Sequence, residues 1–186
     1  EFAQVVADET GGTFGWGMFN VGLATGMLRE AGVHAAAVSD EEIHSHISGK
    51  RMRAVRQPAG VVVGIAPWNA PFMIMTTKVA PALLAGCTVI MKPAPETPLE
   101  AYILAEAAEE VGLPPGVLNL VPAHREAADY LVRNHGVDKV GFTGSTVAGR
   151  RIASVCAERI ARVTLELGGK SAAIVMDDYD TVTLAK

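Results

Sequence analysis

The chain has 186 residues, of which 49% are hydrophobic and 19% charged, with 20 acidic against 16 basic residues and a formal net charge of −4. This composition excludes a disordered chain and gives enough length for one good-sized core. The acidic balance supplies no basic field for nucleic acid or for an anionic membrane surface. The two cysteines, Cys87 and Cys156, are far apart and form no CxxC. That spacing argues against a disulfide framework or a metal site and fits the reduced thiols of a cytoplasmic protein. No apolar run reaches spanning length, because 59–75 is broken by Gly and Pro. The chain begins at Glu1 rather than Met, so its start and any targeting segment are expected to lie outside it.

In chain order, 14–31 repeats its apolar side chains at helical spacing, with Arg29 near its end and Gly32 just past it. Residues 40–57 are polar and rich in His and basic side chains, as in an extended arm or edge hairpin. From 59 the texture changes. "GVVVGIAP" is a β-branched run closed by Gly and Pro, the pattern of a strand buried on both faces. A helix around 76–85, a strand at 87–93 and a helix over 98–112 follow. The alternation continues with a strand at 116–121, a helix over 123–134, a strand at 138–144 and a helix over 145–159. Strands at 162–167 and 171–176 close it. Strands alternating with helices predict an α/β fold, a Rossmann-like parallel sheet flanked by helices, with an N-terminal helix and an extended arm. The units expected are a helical part at 1–39, an arm at 40–58 and an α/β domain at 59–186.

"LELGGKS", 165–171, ends like a phosphate-binding loop. Such a loop needs a glycine five positions before Gly169, and Thr164 stands there. Glu166 is the better candidate: a carboxylate at the carboxyl end of a parallel strand lies where open α/β sheets place ligands. Gly168 and Gly169 let the chain turn sharply beside it. A solvated strand-end Glu is the plain alternative.

"FTGSTVAGR", 142–150, reads as strand, turn and helix. The free N–H groups at that helix start form an anion site, with Ser145 as N-cap. The dinucleotide fingerprint would want glycine at 146, where Thr stands. "APWNAPF", 66–72, holds Trp68 and Asn69 between two prolines, so Asn69 is placed to offer its NH2 to an oxyanion, or simply to make a turn. "MKPAPETP", 91–98, puts Lys92 just past a strand end, suited to a ribose or phosphate or to solvent.

Taken in order, "PWNAPF", "KPAPETP", "GLPPGVLNLV", "FTGSTVAGR" and "VTLELGGKS" resemble the NAD(P)-dependent aldehyde dehydrogenase superfamily. "GGTFGWGMFNVGLATGMLREA" with "GIAPWNAP" looks most like its salicylaldehyde, vanillin and benzaldehyde dehydrogenase branch. The resemblance implies an oxidoreductase that turns an aldehyde into an acid with NAD or NADP, working as a homo-oligomer, a dimer or tetramer. Asn69 then matches the oxyanion-binding Asn, Glu166 the general base and Lys78 a lysine near the active site. Lys92 matches the residue that holds the adenosine ribose, and Gly144 and Ser145 the turn that meets the pyrophosphate. Trp68 and Leu167 match residues beside the nicotinamide. Ala66, Pro67, Pro95, Glu96 and Gly168 complete the cofactor set.

Two departures stand out. NAD-using members often carry Glu three residues after the ribose-binding Lys; here that place is Pro95, with Glu96 next, which loosens the expected preference for NAD. The family's nucleophilic Cys lies beyond the "ELGGK" segment, and neither Cys87 nor Cys156 matches it; both read as buried packing residues. The expectation is a truncated dehydrogenase that keeps the cofactor half, lacks the catalytic domain and has impaired or no catalysis. The alternatives are a non-catalytic oligomeric module built on the arm, and residual thiol chemistry through Cys87 or Cys156 with Glu166.

Overall fold

A computed structural model describes residues 1–180. Two helices open the chain, α1 (Phe2–Thr10) and α2 (Phe14–Val33), followed by one short 3-10 turn at His34–Val38. Strands β1 (Glu41–Ile43) and β2 (Met52–Ala54) pair antiparallel as a small hairpin. Then come β3 (Val61–Ile65), α3 (Pro71–Leu84), β4 (Thr88–Lys92), α4 (Leu99–Glu110) and β5 (Leu118–Leu120). The chain continues through α5 (Arg125–Arg133), β6 (Lys139–Gly144), α6 (Thr146–Glu158) and β7 (Arg162–Leu167).

Strands β3 to β7 form one parallel sheet in the order β5-β4-β3-β6-β7. The chain steps outward from β3 to β5, then returns to place β6 on the other side of β3. That reversal falls between β3 and β6, the kind of position at whose carboxyl edge doubly wound sheets bind ligands. The alternation of side chains splits the core into two layers. Val89 and Met91 of β4 pack with Met75 and Val79 of α3, Val6 of α1, Ala24 of α2 and Leu104 of α4. Val63 and Ile65 of β3 and Val140 of β6 pack on the opposite face, against Val132 of α5 and Ile152 and Val155 of α6.

The elements from β3 to β7 follow the predicted alternation, with two differences. The helix expected around 76–85 starts at Pro71, since proline at the first turn lacks only an N–H that a helix start leaves unused. The strand expected at 171–176 is absent: Ser171–Met176 has no regular structure, and Ile174 is 84% exposed. Among the described residues no strand pairs with this run, and an apolar run without a ladder cannot satisfy its backbone groups as a strand. Helix α1 escaped the sequence reading, although Gly11, at φ 67, marks its end as a left-handed cap.

Candidate active site at the carboxyl edge of the sheet

Four strand ends bring the sequence candidates to one edge. Asn69 follows β3, Lys92 closes β4, Ser145 follows β6 and Glu166 is the penultimate residue of β7. Pro67, Trp68 and Asn69 form the exposed or half-exposed loop above β3, with Trp68 57% exposed, while Ala66 is buried and hydrogen-bonds through its N–H to the Lys92 carbonyl.

Lys78 lies on α3, above the sheet. Its aliphatic stem crosses Gly64 of β3 and Gly141 of β6, which are register partners. A Cβ on Gly64 would sit 3.3 Å from the Lys78 Cβ, and one on Gly141 would sit 3.6 Å from its Cγ. The two glycines therefore make a floor for the stem. At its end, Lys78 Nζ donates to Thr143 Oγ1 at 2.7 Å. Thr143 is paired in register with Glu166 on the neighbouring strand. Burial lowers the Lys78 pKa to about 8, against a smaller upward pull from the Glu166 carboxylate. Lys78 and Glu166 share the wall of a cleft of about 530 Å³, between α3 and the open face of β6 and β7, with Thr77, Pro81, Cys87 and Thr164. A second, apolar groove of about 680 Å³ runs between α2 and α3 and shares Thr77 and Pro81 with the first.

The turn after β6 carries the N-cap that its sequence suggests. Ser145 caps α6, its Oγ accepting from Ala148 N–H at 3.3 Å. Gly149, one turn into α6, touches Leu167: a Cβ there would lie 2.4 Å from the Leu167 Cδ2. The missing side chain lets the helix start settle onto the end of β7, the close helix–strand packing that dinucleotide turns require. Lys92 is buried, and its ammonium donates to the Pro93 carbonyl at 2.8 Å, leaving donor capacity for another oxygen. Its pKa is lowered by burial and pulled upward by Glu96. A carboxylate thus does stand near Lys92, one residue later than the family pattern, while Pro95 is exposed beside it.

Cys87 and Cys156 are both buried and unbridged. Burial raises the Cys156 pKa, opposed by Arg159, so it is held as a thiol. Cys87 lines the cleft at the amino end of β4, away from the strand end that carries Lys92. Two contacts at this edge were missed in the sequence. Thr143 lies inside the quoted "FTGST", and its alternation with Gly141 was the signal that it faces α3. Trp16 donates its indole N–H to the Asn69 carbonyl at 3.1 Å, a contact across 53 positions that no local pattern announces.

The sequence profile of the aldehyde dehydrogenase family matches residues 1–186. A geranial dehydrogenase of Castellaniella defragrans is 51% identical over 160 residues, covering 86% of this chain and 34% of that protein. A vanillin dehydrogenase of Pseudomonas fluorescens is 41% identical over 184 residues, covering 97% of this chain and 38% of its own length. The crystal structure of a betaine aldehyde dehydrogenase from Staphylococcus aureus, in complex with NAD+, superposes with a TM-score of 0.87 at 33% identity, over 90% of this chain and 34% of that one. The chain therefore spans about a third of the length of the relatives it matches.

Proposed function

Since this chain belongs to the aldehyde dehydrogenase family, we propose that it forms the cofactor-binding part of an NAD(P)-dependent oxidoreductase that turns apolar or aromatic aldehydes into acids. One observation carries this reading: Asn69, Lys92, Ser145 and Glu166 converge on the carboxyl edge of a single parallel sheet, around its point of reversal.

The cofactor, when bound, supplies the acceptor for hydride. Ser145 and the first N–H groups of α6 fit its pyrophosphate, and Lys92 with the nearby Glu96 fits the adenosine ribose. Glu96 raises the Lys92 pKa, so a carboxylate acts on that lysine from one place later than the usual Glu, and the cofactor is NAD or NADP. Ala66, Pro67, Trp68, Pro95, Gly144, Leu167 and Gly168 complete the wall of that site.

Asn69 offers its carboxamide N–H to the oxygen of an aldehyde addition product. Glu166 would act as general base, taking a proton from a nucleophilic thiol that neither Cys87 nor Cys156 supplies and, once it has passed that proton to solvent, another from the water that releases the acid. Lys78, with its pKa drawn to about 8, holds a proton near Glu166 at neutral pH and exchanges it readily. The similarity to geranial and vanillin dehydrogenases supports an aromatic or unsaturated aldehyde, salicylaldehyde-like compounds included. Residues 59–186 act as the nucleotide-binding unit, and the hairpin at 40–58 as an arm toward another copy in a homo-oligomer.

Titrating NADH fluorescence against the purified chain tests the reading. Saturable enhancement that falls at least about fivefold in affinity in Ser145→Ala is expected. No binding at millimolar NADH refutes it.

A further inference from the structure

Trp16 sits on the first turn of α2, and its position is fixed from several sides. Its backbone N–H donates to the N-cap Thr13 Oγ1 at 3.2 Å, and its carbonyl accepts from the buried Asn20 Nδ2 at 3.1 Å. Its ring stacks on Phe19. Gly12 leaves the room the indole needs, since a Cβ there would lie 2.8 Å from the Trp16 Cδ1. The next residue, Gly17, meets the α1 backbone, where a Cβ would lie 1.9 Å from the Ala3 carbonyl oxygen. Helix α1 in turn holds the start of α3, through Phe2 against Phe72 at 4.2 Å between ring centroids.

The Asn69 carbonyl lies one residue before the α3 N-cap, Ala70, and outside the helix ladder. The indole N–H of Trp16 supplies its partner at 3.1 Å. Phe2 and Trp16 thus grip the two ends of the short segment 69–72, one through packing and one through a hydrogen bond.

We propose that Trp16 is a positioning residue for Asn69: its indole N–H fixes the Asn69 peptide, and thereby the direction in which the exposed Asn69 carboxamide is presented to the site. This rests on the reading of Asn69 as an oxyanion donor. The indole acts through the backbone and touches no reacting atom. A hydrogen bond of this kind removes rotational freedom from a loop that the Pro67 and Pro71 rings only partly restrain.

The test is two-dimensional 15N NMR of the 186-residue chain. Trp16→Phe keeps an aromatic ring and deletes the donor. The expected result is displaced and broadened signals from the Asn69 backbone and Nδ2 amides, with the β3–β7 signals unchanged. Gly12→Ala, which crowds the indole without deleting its N–H, should move the same signals less. Unchanged Asn69 amides in Trp16→Phe overturn the proposal. A measurement on the unaltered protein needs no variant: Trp16 Nε1–H should exchange with solvent more slowly than Trp68 Nε1–H, and equal rates overturn it. Benzoate serves as a carboxylate probe that separates the two ideas. Benzoate shifting Asn69 Nδ2, about fivefold more weakly in Trp16→Phe, supports both. Equal affinity in the two proteins removes the positioning role and leaves the oxyanion reading. No benzoate shift at Asn69, with its amides still displaced by Trp16→Phe, leaves the positioning role and removes the oxyanion reading.

Discussion

Lys78 reaches from α3 across the carboxyl half of the sheet and donates to Thr143 on β6 at 2.7 Å, with Gly64 and Gly141 beneath its stem. The contact ties a helix to the strand that leads into the phosphate-type turn. It also holds an amine in a half-buried place, where its charged form loses hydration.

The Lys78 amine should therefore titrate near 8 rather than 10.5. Between those values the unfolded chain keeps a proton that the folded one has shed, so this residue makes stability rise with pH across that window. Glu166 pulls the value upward, so Glu166→Gln should lower the midpoint further. Following the Lys78 side-chain NMR signals through the titration decides it; an unmoved midpoint in Glu166→Gln would show that the carboxylate does not reach the amine.

The glycine floor makes an asymmetric prediction. Gly64→Ala places a methyl 3.3 Å from the Lys78 Cβ, which is anchored to the helix backbone and cannot swing away. The helix must shift, at about 1–3 kcal/mol. Gly141→Ala meets the more mobile Lys78 Cγ and Cδ at 3.6 and 3.7 Å and the Val63 carbonyl oxygen at 3.9 Å, all in ordinary contact. Urea unfolding should show a clear loss for the first and a change within about 0.5 kcal/mol for the second.

Much of this arrangement was legible in the sequence because it is local. "VVVGI", "FTGST" and "RVTLEL" carry the strand signal, the turn and the cap within a few residues of one another. Ser145 caps the helix that its own neighbours predict, and the strand ends carry Asn69, Lys92 and Glu166 to one edge once the sheet is parallel. What was not legible depends on distance. The Trp16 bond to Asn69 and the α1 contact at Gly17 join segments whose spacing has no period. The apolar run at 171–176 carried a strand's composition, yet composition alone does not supply a neighbouring strand.

Ile160 occupies the left-handed region, at φ 56, in the tight turn between α6 and β7. A β-branched residue is strained there by about 1–2 kcal/mol or more. Its side chain is 92% exposed, so no packing is lost when it is removed. Ile160→Gly should raise stability by about 1 kcal/mol after glycine's own entropic cost. A higher urea midpoint with an unchanged slope is the expected result, and a lower midpoint contradicts the strain.

Glu100, in the first turn of α4, is fully buried. Neither of its oxygens has a partner of ordinary hydrogen-bond geometry, and the Glu9 carboxyl, which accepts from the Leu99 N–H at 3.0 Å, approaches it. Burial first, then Glu9, pushes the Glu100 pKa up from 4.5 to about 9. Between these values the folded chain holds a proton that the unfolded chain has lost. The contribution to stability is therefore complete below the unfolded value and disappears as pH rises through the folded one. Gln has the same shape and no charge to bury, so Glu100→Gln should flatten that slope. The variant should gain on the order of 2 kcal/mol over the unaltered protein at neutral pH, and the gain should vanish toward acid. Urea midpoints for both proteins at about pH 5, 7 and 9 check it. Parallel pH profiles would mean that Glu100 is charged in the fold and that its neighbourhood is wetter than the packing of α1 on α4 implies.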